Sequence, residues 1–326
     1  MAEPLVSVNL PCYNQVAYVD EAIGSAVDQD YDNLEVLCGD DGSTDGTVDR
    51  IQEWTARYPR RVVPVLGPHV GITANCNRIF QRIRGKYVFG HAGDDVFLPG
   101  KIRKQVQWFE EDERRVMCGH AAEAFDGPTG RTLSLTTGSR RGLTSGQGAR
   151  RYIEDFGLFP DISTAMRRSA YPRGGYDERT GVVSIFKLNI DILAAGGSYG
   201  YVDGVLARYR VHPDSITQRS RSEPEVHRAF LEGYLTALAI TEANHPHLLA
   251  SCRRGRARLL FSEGRSHQTR HEDAAARGYF AAAARDNLAL TLKAAAAVAL
   301  TYAPSALRRE FEKRRSAARA GVLEIR

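Results

Sequence analysis

Two pairs of adjacent aspartates, Asp40 with Asp41 and Asp94 with Asp95, stand directly after apolar runs, in "LEVLCGDDGSTDGT" and "KYVFGHAGDDVF". One carboxylate at such a place caps a turn or a helix. Ser43, Thr44 and Asp45 are themselves good capping residues, and Gly42 and Gly46 permit tight backbone angles. A cap needs one oxygen, which leaves the second acid of the pair unexplained. Carboxylate oxygens suit magnesium or manganese. Two such pairs facing one crevice repel unless a cation or a hydrogen-bond donor lies between them, a need that a divalent metal and a nucleotide both meet.

The elements that must hold these acids follow from the hydrophobic period. Short apolar runs at residues 5–10, 34–38, 62–66 and 87–90 read as strands. Helical periodicity follows each one, through Val19, Ala22, Ile23, Ala26 and Val27, then Val48 and Ile51, then Ile79, Phe80 and Ile83, then Ile102, Val106 and Phe109. This alternation predicts the α/β class, a mainly parallel sheet with helices on both faces. Ligands in such sheets bind beyond the carboxyl ends of the strands, so both acidic pairs are expected on one edge. Residues 116–118 and 199–202 are further strand-like pieces, and the glycine- and threonine-rich stretch 127–148 reads as loop. After Ser220 the composition shifts to alanine and arginine, with helical periodicity through Phe230, Tyr234 and Leu238 and again through Leu288, Leu292 and Ala296. "SRSEPE" reads as a linker, so the expected partition is residues 1–217 followed by a helical C-terminal region, 218–326.

The composition, 43% hydrophobic and 25% charged over 326 residues, is that of a soluble globular chain with ample core. The most apolar stretch, 288–303, is largely alanine and interrupted by Lys293, which reads as a packed helix rather than a membrane span. Cys12, Cys38, Cys76, Cys118 and Cys252 show no close spacing, which argues for reduced thiols and against a zinc site or a disulfide framework. No basic leader opens the chain, and the expected compartment is the cytoplasm. Residues 251–326 carry 16 Lys or Arg against 7 Asp or Glu. Such a region can touch anionic lipid, nucleic acid or an acidic partner, although more often it only solvates helices. Peripheral contact at the inner face of a membrane and a homodimer through these helices are carried forward, beside the plainer reading of helices that buttress the domain; a nucleic-acid partner is not.

The segments "VSVNLPCYNQ", "GDDGSTDGT", "GKYVFGHAGDDVFLPGKI", "GGYDE" and "ARYRVHPDSIT", in this order, resemble glycosyltransferase family 2 enzymes of the GT-A fold. The resemblance runs from about Val6 to Thr217. It implies an inverting transferase that uses a nucleotide-diphosphate sugar and a divalent metal, Mn2+ or Mg2+. Residues 1–115 would bind the nucleotide sugar and 116–217 the acceptor. Carried over, Pro11, Tyr13 and Asn14 end the first strand against the nucleotide. Asp41 accepts a hydrogen bond from the base, Asp94 contacts the ribose and Asp95 ligates the metal. A carboxylate accepts the imide proton of uracil or thymine, which favours a UDP- or dTDP-sugar. Arg210 matches a position near the diphosphate, and His212 a position at the metal. The family pattern is Asp-x-Asp, and here the residue two before Asp94 is Ala92.

The catalytic base is where the chain departs furthest. Transfer to a hydroxyl with inversion needs a proton acceptor, carried in the family shortly after the "GGYDE" segment. Aligning "GVVSIFKLNID" puts Ile185 there, and residues 179–190 contain no Asp or Glu. The acceptor is then an amine or thiolate that needs less help, or Asp161, Asp191 or His212 serves instead, or activity has been lost. Ordinary loop or surface acids are the simpler reading of Asp161 and Asp191. Three classes are therefore weighed: an active glycosyltransferase, a non-catalytic relative that keeps the nucleotide site, and a nucleotidyltransferase. The last normally opens with a glycine-rich loop and a basic residue, where this chain has "LPCYNQ". Without a Gln-x-x-Arg-Trp motif or membrane helices, transfer of one sugar to an unidentified acceptor is favoured over processive synthesis.

Overall fold

The computed structural model describes residues 3–137, 147–158 and 160–302. Its first half is the expected alternation: β1 (Val6–Cys12), α1 (Val19–Val27), β2 (Leu34–Asp41), α2 (Thr47–Arg57), β3 (Val62–Gly67), α3 (Ile72–Phe80) and β4 (Tyr87–Gly90). These four strands lie in the order β3-β2-β1-β4 and are all parallel. Both faces are covered, which is why polar Ser7 and Asn9 are as buried as Val6, Val8 and Leu10. Cys12 pairs with Asp40 and Gly67 with Asp41, so the strand ends are level and their loops open on one edge.

Beyond β4 the sheet becomes mixed. It continues with β5 (Val96–Phe97), α4 (Lys101–Glu110), β6 (Arg115–Asp126), β7 (Thr132–Thr136), α5 (Gly148–Asp155), β8 (Ala165–Arg167), α6 (Ser184–Ala194) and β9 (Ser198–Val211). The strand order runs on as β4-β8-β6-β9-β5, with β7 paired to β6. β7 lies within the stretch expected to be loop; all five of its residues are exposed, so no alternation of burial marks it. The rest of that expected loop includes residues 138–146, which lie outside the described residues. β9 is twice the expected length or more, and its last third does the positioning. Because β5 pairs antiparallel to it, with Val96 opposite Arg208, residues 94–95 are laid against 210–212.

Two compact units divide after Leu249. The first therefore runs past the boundary expected at 217/218 and includes α7 (Ile216–Ser222) and α8 (Pro224–Asn244). The reason is aromatic packing: Tyr234 of α8 meets Phe156 and Phe186 edge to face at 5.3 and 5.1 Å. The second unit is helical, with α10 (Asp273–Asp286) and α11 (Leu288–Thr301) following α9 (Leu249–Thr269) around Ala276, Phe280, Ala294 and Ala297. Among the described residues no helix is long and apolar enough to cross a membrane.

One polar cluster inside the first unit bears on the site. Lys101 opens α4 fully buried, with Nζ 2.8 Å from Gln105 Oε1, 2.9 Å from His120 Nε2 and 3.3 Å from the Ser163 carbonyl. Burial pulls its pKa down to about 7, while burial and the neighbouring ammonium hold His120 far below the ordinary imidazole range. An unfolded lysine titrates near 10.4. Between those two values the unfolded chain binds more protons than the folded one, so this group makes stability rise with pH. Melting temperature should therefore climb from pH 7 to pH 9, and Lys101→Met should flatten that climb in the same buffer series; an equal slope in the variant would locate the titration elsewhere.

Candidate active site

The two acids at the end of β2 divide their work. Asp40 faces its own turn, with Oδ2 accepting from the Gly42 and Ser43 amides at 2.9 and 2.8 Å. It is the cap. Asp41 instead reaches across to the loop after β3, where its two oxygens accept from the Val70 and Gly71 amides, each at 2.9 Å. His69 Nδ1 lies 2.9 Å from Asp41 Oδ2, and the His69 ring stacks on Tyr13 at 4.4 Å between centroids. Tyr13 is 47% exposed, which leaves an aromatic shelf at the mouth of the edge. Asn14 sits in the left-handed region, φ 49°, a conformation that asparagine tolerates. From there it accepts from the Thr44 amide at 2.9 Å and gives its own amide to Ser43 Oγ at 2.8 Å. Pro11 lies within β1, and its carbonyl takes the Gly93 amide at 3.2 Å. The first two loops are thus tied to each other and to the segment that carries the second acidic pair.

That second pair is enclosed by β9. Asp95 is buried, with Oδ1 2.9 Å from the Arg210 amide. Burial first, and the Asp94 charge next, hold its pKa well above the carboxylate range. Asp94 Oδ2 lies 3.0 Å from His212 Nε2, and the other ring nitrogen, Nδ1, is buried without a partner among the described residues. Arg210 is only 6% exposed: Nε donates to the Asp94 carbonyl at 2.7 Å, and a terminal nitrogen pairs with Glu21. Its guanidinium also lies over the rings of Tyr18 and Phe125, 4.9 and 4.6 Å from their centroids. Asp94, Asp95, Arg210 and His212 therefore meet at one place. No three His, Cys, Asp or Glu side chains among the described residues enclose an ion by themselves.

The "GGYDE" segment is anchored from the donor side. Asn77 of α3 makes two hydrogen bonds with the Tyr176 backbone, at 2.8 and 3.0 Å, and Tyr176 Oη accepts from Asn9 of β1 at 3.0 Å. Thr73 Oγ1 donates to the Gly181 carbonyl at 2.7 Å and lies 3.0 Å from Ser184 Oγ. Ser184 and Ile185 then open α6, so Ile185 stands one residue from a direct link to the nucleotide-side helix. Ile185 lines a cavity of about 210 Å³ together with Tyr152, Phe156, Asp161, Phe186 and Tyr234. Asp191 is elsewhere: it holds the buried Lys187 ammonium at 2.5 Å and faces His245 Nε2 at 3.2 Å, lining a different cavity.

With this geometry in place, the model of the family described as "Glycosyl transferase family 2" matches residues 7–174. The chain belongs to glycosyl transferase family 2. TuaG of Bacillus subtilis, named for teichuronic acid biosynthesis, is 34% identical over 109 residues, 33% of this chain and 43% of that protein. The chain thus spans less than half the length of that relative. Among solved structures, S. aureus TarS 1–349 in complex with UDP superposes with a TM-score of 0.54 at 15% identity, covering 78% of this chain and 82% of that one. The mannosyltransferase PcManGT from Pyrobaculum calidifontis, in complex with GDP-Man and Mn2+, gives 0.51 at 19% identity over 88% of both chains. These likenesses show the fold, the curled GT-A sheet of family 2.

Sequence reasoning did not find His69, Glu21 or the Thr73–Ser184 link. His69 had a signal, since "GPHVGI" is the third loop to leave the ligand edge of a parallel sheet. Glu21 had none, because a helix-surface acid becomes informative only when Arg210 is seen beside it.

The division of labour at β2 is open to test. In Asp41→Ala the Val70 and Gly71 amides lose their acceptors, and leaving such donors unsatisfied costs about 1–3 kcal/mol. Amide hydrogen exchange at those two positions should accelerate, whereas Asp40→Ala should accelerate Gly42 and Ser43. Exchange at Val70 and Gly71 that matches the parent would separate the loop from Asp41.

Proposed function

We propose that this chain is an inverting glycosyltransferase that moves one sugar from a nucleotide-diphosphate donor, UDP- or dTDP-linked before a purine nucleotide, to a hydroxyl of an acceptor. The observation that carries the reading is the meeting of Asp41 with its Tyr13–His69 shelf and the Asp94–Asp95–His212 group on one sheet edge. A flat base rests on the shelf, and a lone pair of Asp41 left over from the loop amides takes the imide proton of a pyrimidine. Asp94 is assigned to the ribose and Asp95 to the metal. TarS solved with UDP and with UDP-GlcNAc, and PcManGT with GDP-Man and Mn2+, support a nucleotide-sugar donor for this chain as well.

The residues present fit a divalent ion. Asp95, buried against a second carboxylate, is relieved by positive charge, and the unpartnered Nδ1 of His212 is a ready neutral donor. A divalent ion held there neutralises the negative charge that develops on the departing diphosphate. Arg210 keeps its assignment near the diphosphate only by exchanging Glu21 for phosphate, because its remaining partners lock it to Asp94 and two rings. Direct displacement at the anomeric carbon inverts its configuration, and the acceptor oxygen must lose a proton as it attacks. The acceptor, whether saccharide, lipid-linked, peptide or natural product, is assigned to the side built from residues 116–217. Ile185 at the expected base position favours a second reading, a relative that binds the donor without turning it over.

Calorimetric titration with UDP, dTDP, GDP and CDP, each with and without Mn2+, tests the donor assignment. Tight binding of one pyrimidine diphosphate is expected only with the metal, and Asp95→Asn should remove the metal's contribution by at least about tenfold, or 1.4 kcal/mol. Affinity of Asp95→Asn that equals the parent's with Mn2+ present would remove Asp95 from the metal site.

A further inference from the structure

We propose that Asp161 is the proton acceptor of the transfer, taking from the opposite wall of the acceptor cavity the role for which position 185 offers only isoleucine. The inference rests on the glycosyltransferase reading above. Its first support is that Asp161 and Ile185 line the same cavity. The remaining walls, Val182, Val183, Phe156, Phe186 and the rings of Tyr152 and Tyr234, are apolar or aromatic, so Asp161 supplies the cavity's one carboxylate among the described residues. At about 210 Å³ the space is smaller than the roughly 300–1,000 Å³ of common ligand pockets, which suits the end of an acceptor rather than a whole chain.

The second support is position relative to the donor edge. Asp161 sits against the end of β4, its carbonyl oxygen 3.7 Å from where a Cβ on Gly90 would stand, four residues before Asp94. It therefore joins the donor edge, at the end of β4, to the cavity that it lines. The other acids and bases considered for this role are committed elsewhere, Asp191 to Lys187 and His245 and His212 to Asp94.

The third support is that the turn is built to hold still. Asp161 opens a single 3₁₀ turn, 161–163, whose Ser163 carbonyl accepts from Gln105 Nε2 at 2.9 Å and from the buried Lys101. Ser163 Oγ closes back onto the Pro160 carbonyl at 2.7 Å, and the Thr164 carbonyl takes the Gly90 amide at the end of β4. The polar cluster around Lys101 thus braces the segment that presents Asp161, the kind of support that a reacting group needs. The residue as a whole is exposed, while the protein around its carboxyl displaces water from it and pushes its pKa up to about 6. A base that is ionised near neutrality, yet still has appetite for a proton, is what the step requires.

In that step the acceptor oxygen forms a bond to the anomeric carbon as the bond from that carbon to the diphosphate oxygen breaks. The leaving oxygen keeps the electron pair, and the proton of the acceptor hydroxyl passes to the Asp161 carboxylate and from there to water. No other reactant is needed.

Water can stand in for the acceptor. The full chain is incubated with Mn2+ and a panel of UDP-, dTDP-, GDP- and CDP-sugars, and release of the nucleoside diphosphate is followed beside calorimetric binding of the diphosphate. Asp161→Asn should slow release by about 10²- to 10⁴-fold, with diphosphate affinity and melting temperature held near the parent's. Adding Ile185→Asp to that variant should restore part of the rate, which a merely structural role of Asp161 would not allow. Unchanged release in Asp161→Asn would overturn the assignment, as would a parent chain that binds a diphosphate but hydrolyses none of the sugars. A parent that binds no diphosphate at all would instead overturn the glycosyltransferase reading on which the inference stands.

Discussion

Negative charge crowded on one sheet edge is the constraint around which the first unit is arranged. The strand ends and the turn beside them carry Asp40, Asp41, Asp94, Asp95 and Asp161, and a buried carboxylate is tolerated only when something donates to it or when it holds its proton. The chain answers mostly with backbone amides. Gly42 and Ser43 satisfy Asp40, Val70 and Gly71 satisfy Asp41, and the Arg210 amide satisfies Asp95. Amides neutralise hydrogen-bonding need without neutralising charge, so the edge keeps a negative field. Arg210, the strongest cation nearby, is shared between Glu21, a carbonyl and two rings.

Four of those five amides sit in loops, the fifth in β9, so the acids also set the loop structure. Asp41 fixes the start of α3 by holding the amides just before it, and α3 in turn fixes the "GGYDE" segment through Asn77 and the start of α6 through Thr73. β9 closes the arrangement because β5 gives its last residues a register against Asp94 and Asp95. The site is therefore a chain of short polar contacts laid along the mouth of a rigid sheet, rather than a set of side chains projecting from a preformed hole.

Much of this was legible beforehand, and the limits have physical causes. The parallel half was legible because both faces of β1, β2 and β4 are buried and their apolar runs end at turn residues. The meeting of Asp94 and Asp95 with Arg210 and His212 came from the resemblance, not from spacing, since more than a hundred residues separate them. β7 escaped because it is wholly exposed, and β5 because two residues carry no period. That the first compact unit runs on past 217/218 was not legible, since composition reports the alanine content of α8 but not that Tyr234 belongs to an aromatic cluster with Phe156 and Phe186. Position 185 could be seen to lack an acid; that Asp161 shares its cavity is a fact of tertiary structure alone.

The contacts of Thr73 with Gly181 and Ser184 have a mechanical meaning. One short helix begins at the loop that Asp41 holds and, within its first turn, touches the start of the helix that lines the acceptor cavity. α3 is thus a strut between that loop and the cavity wall, so a displacement at one end is carried to the other.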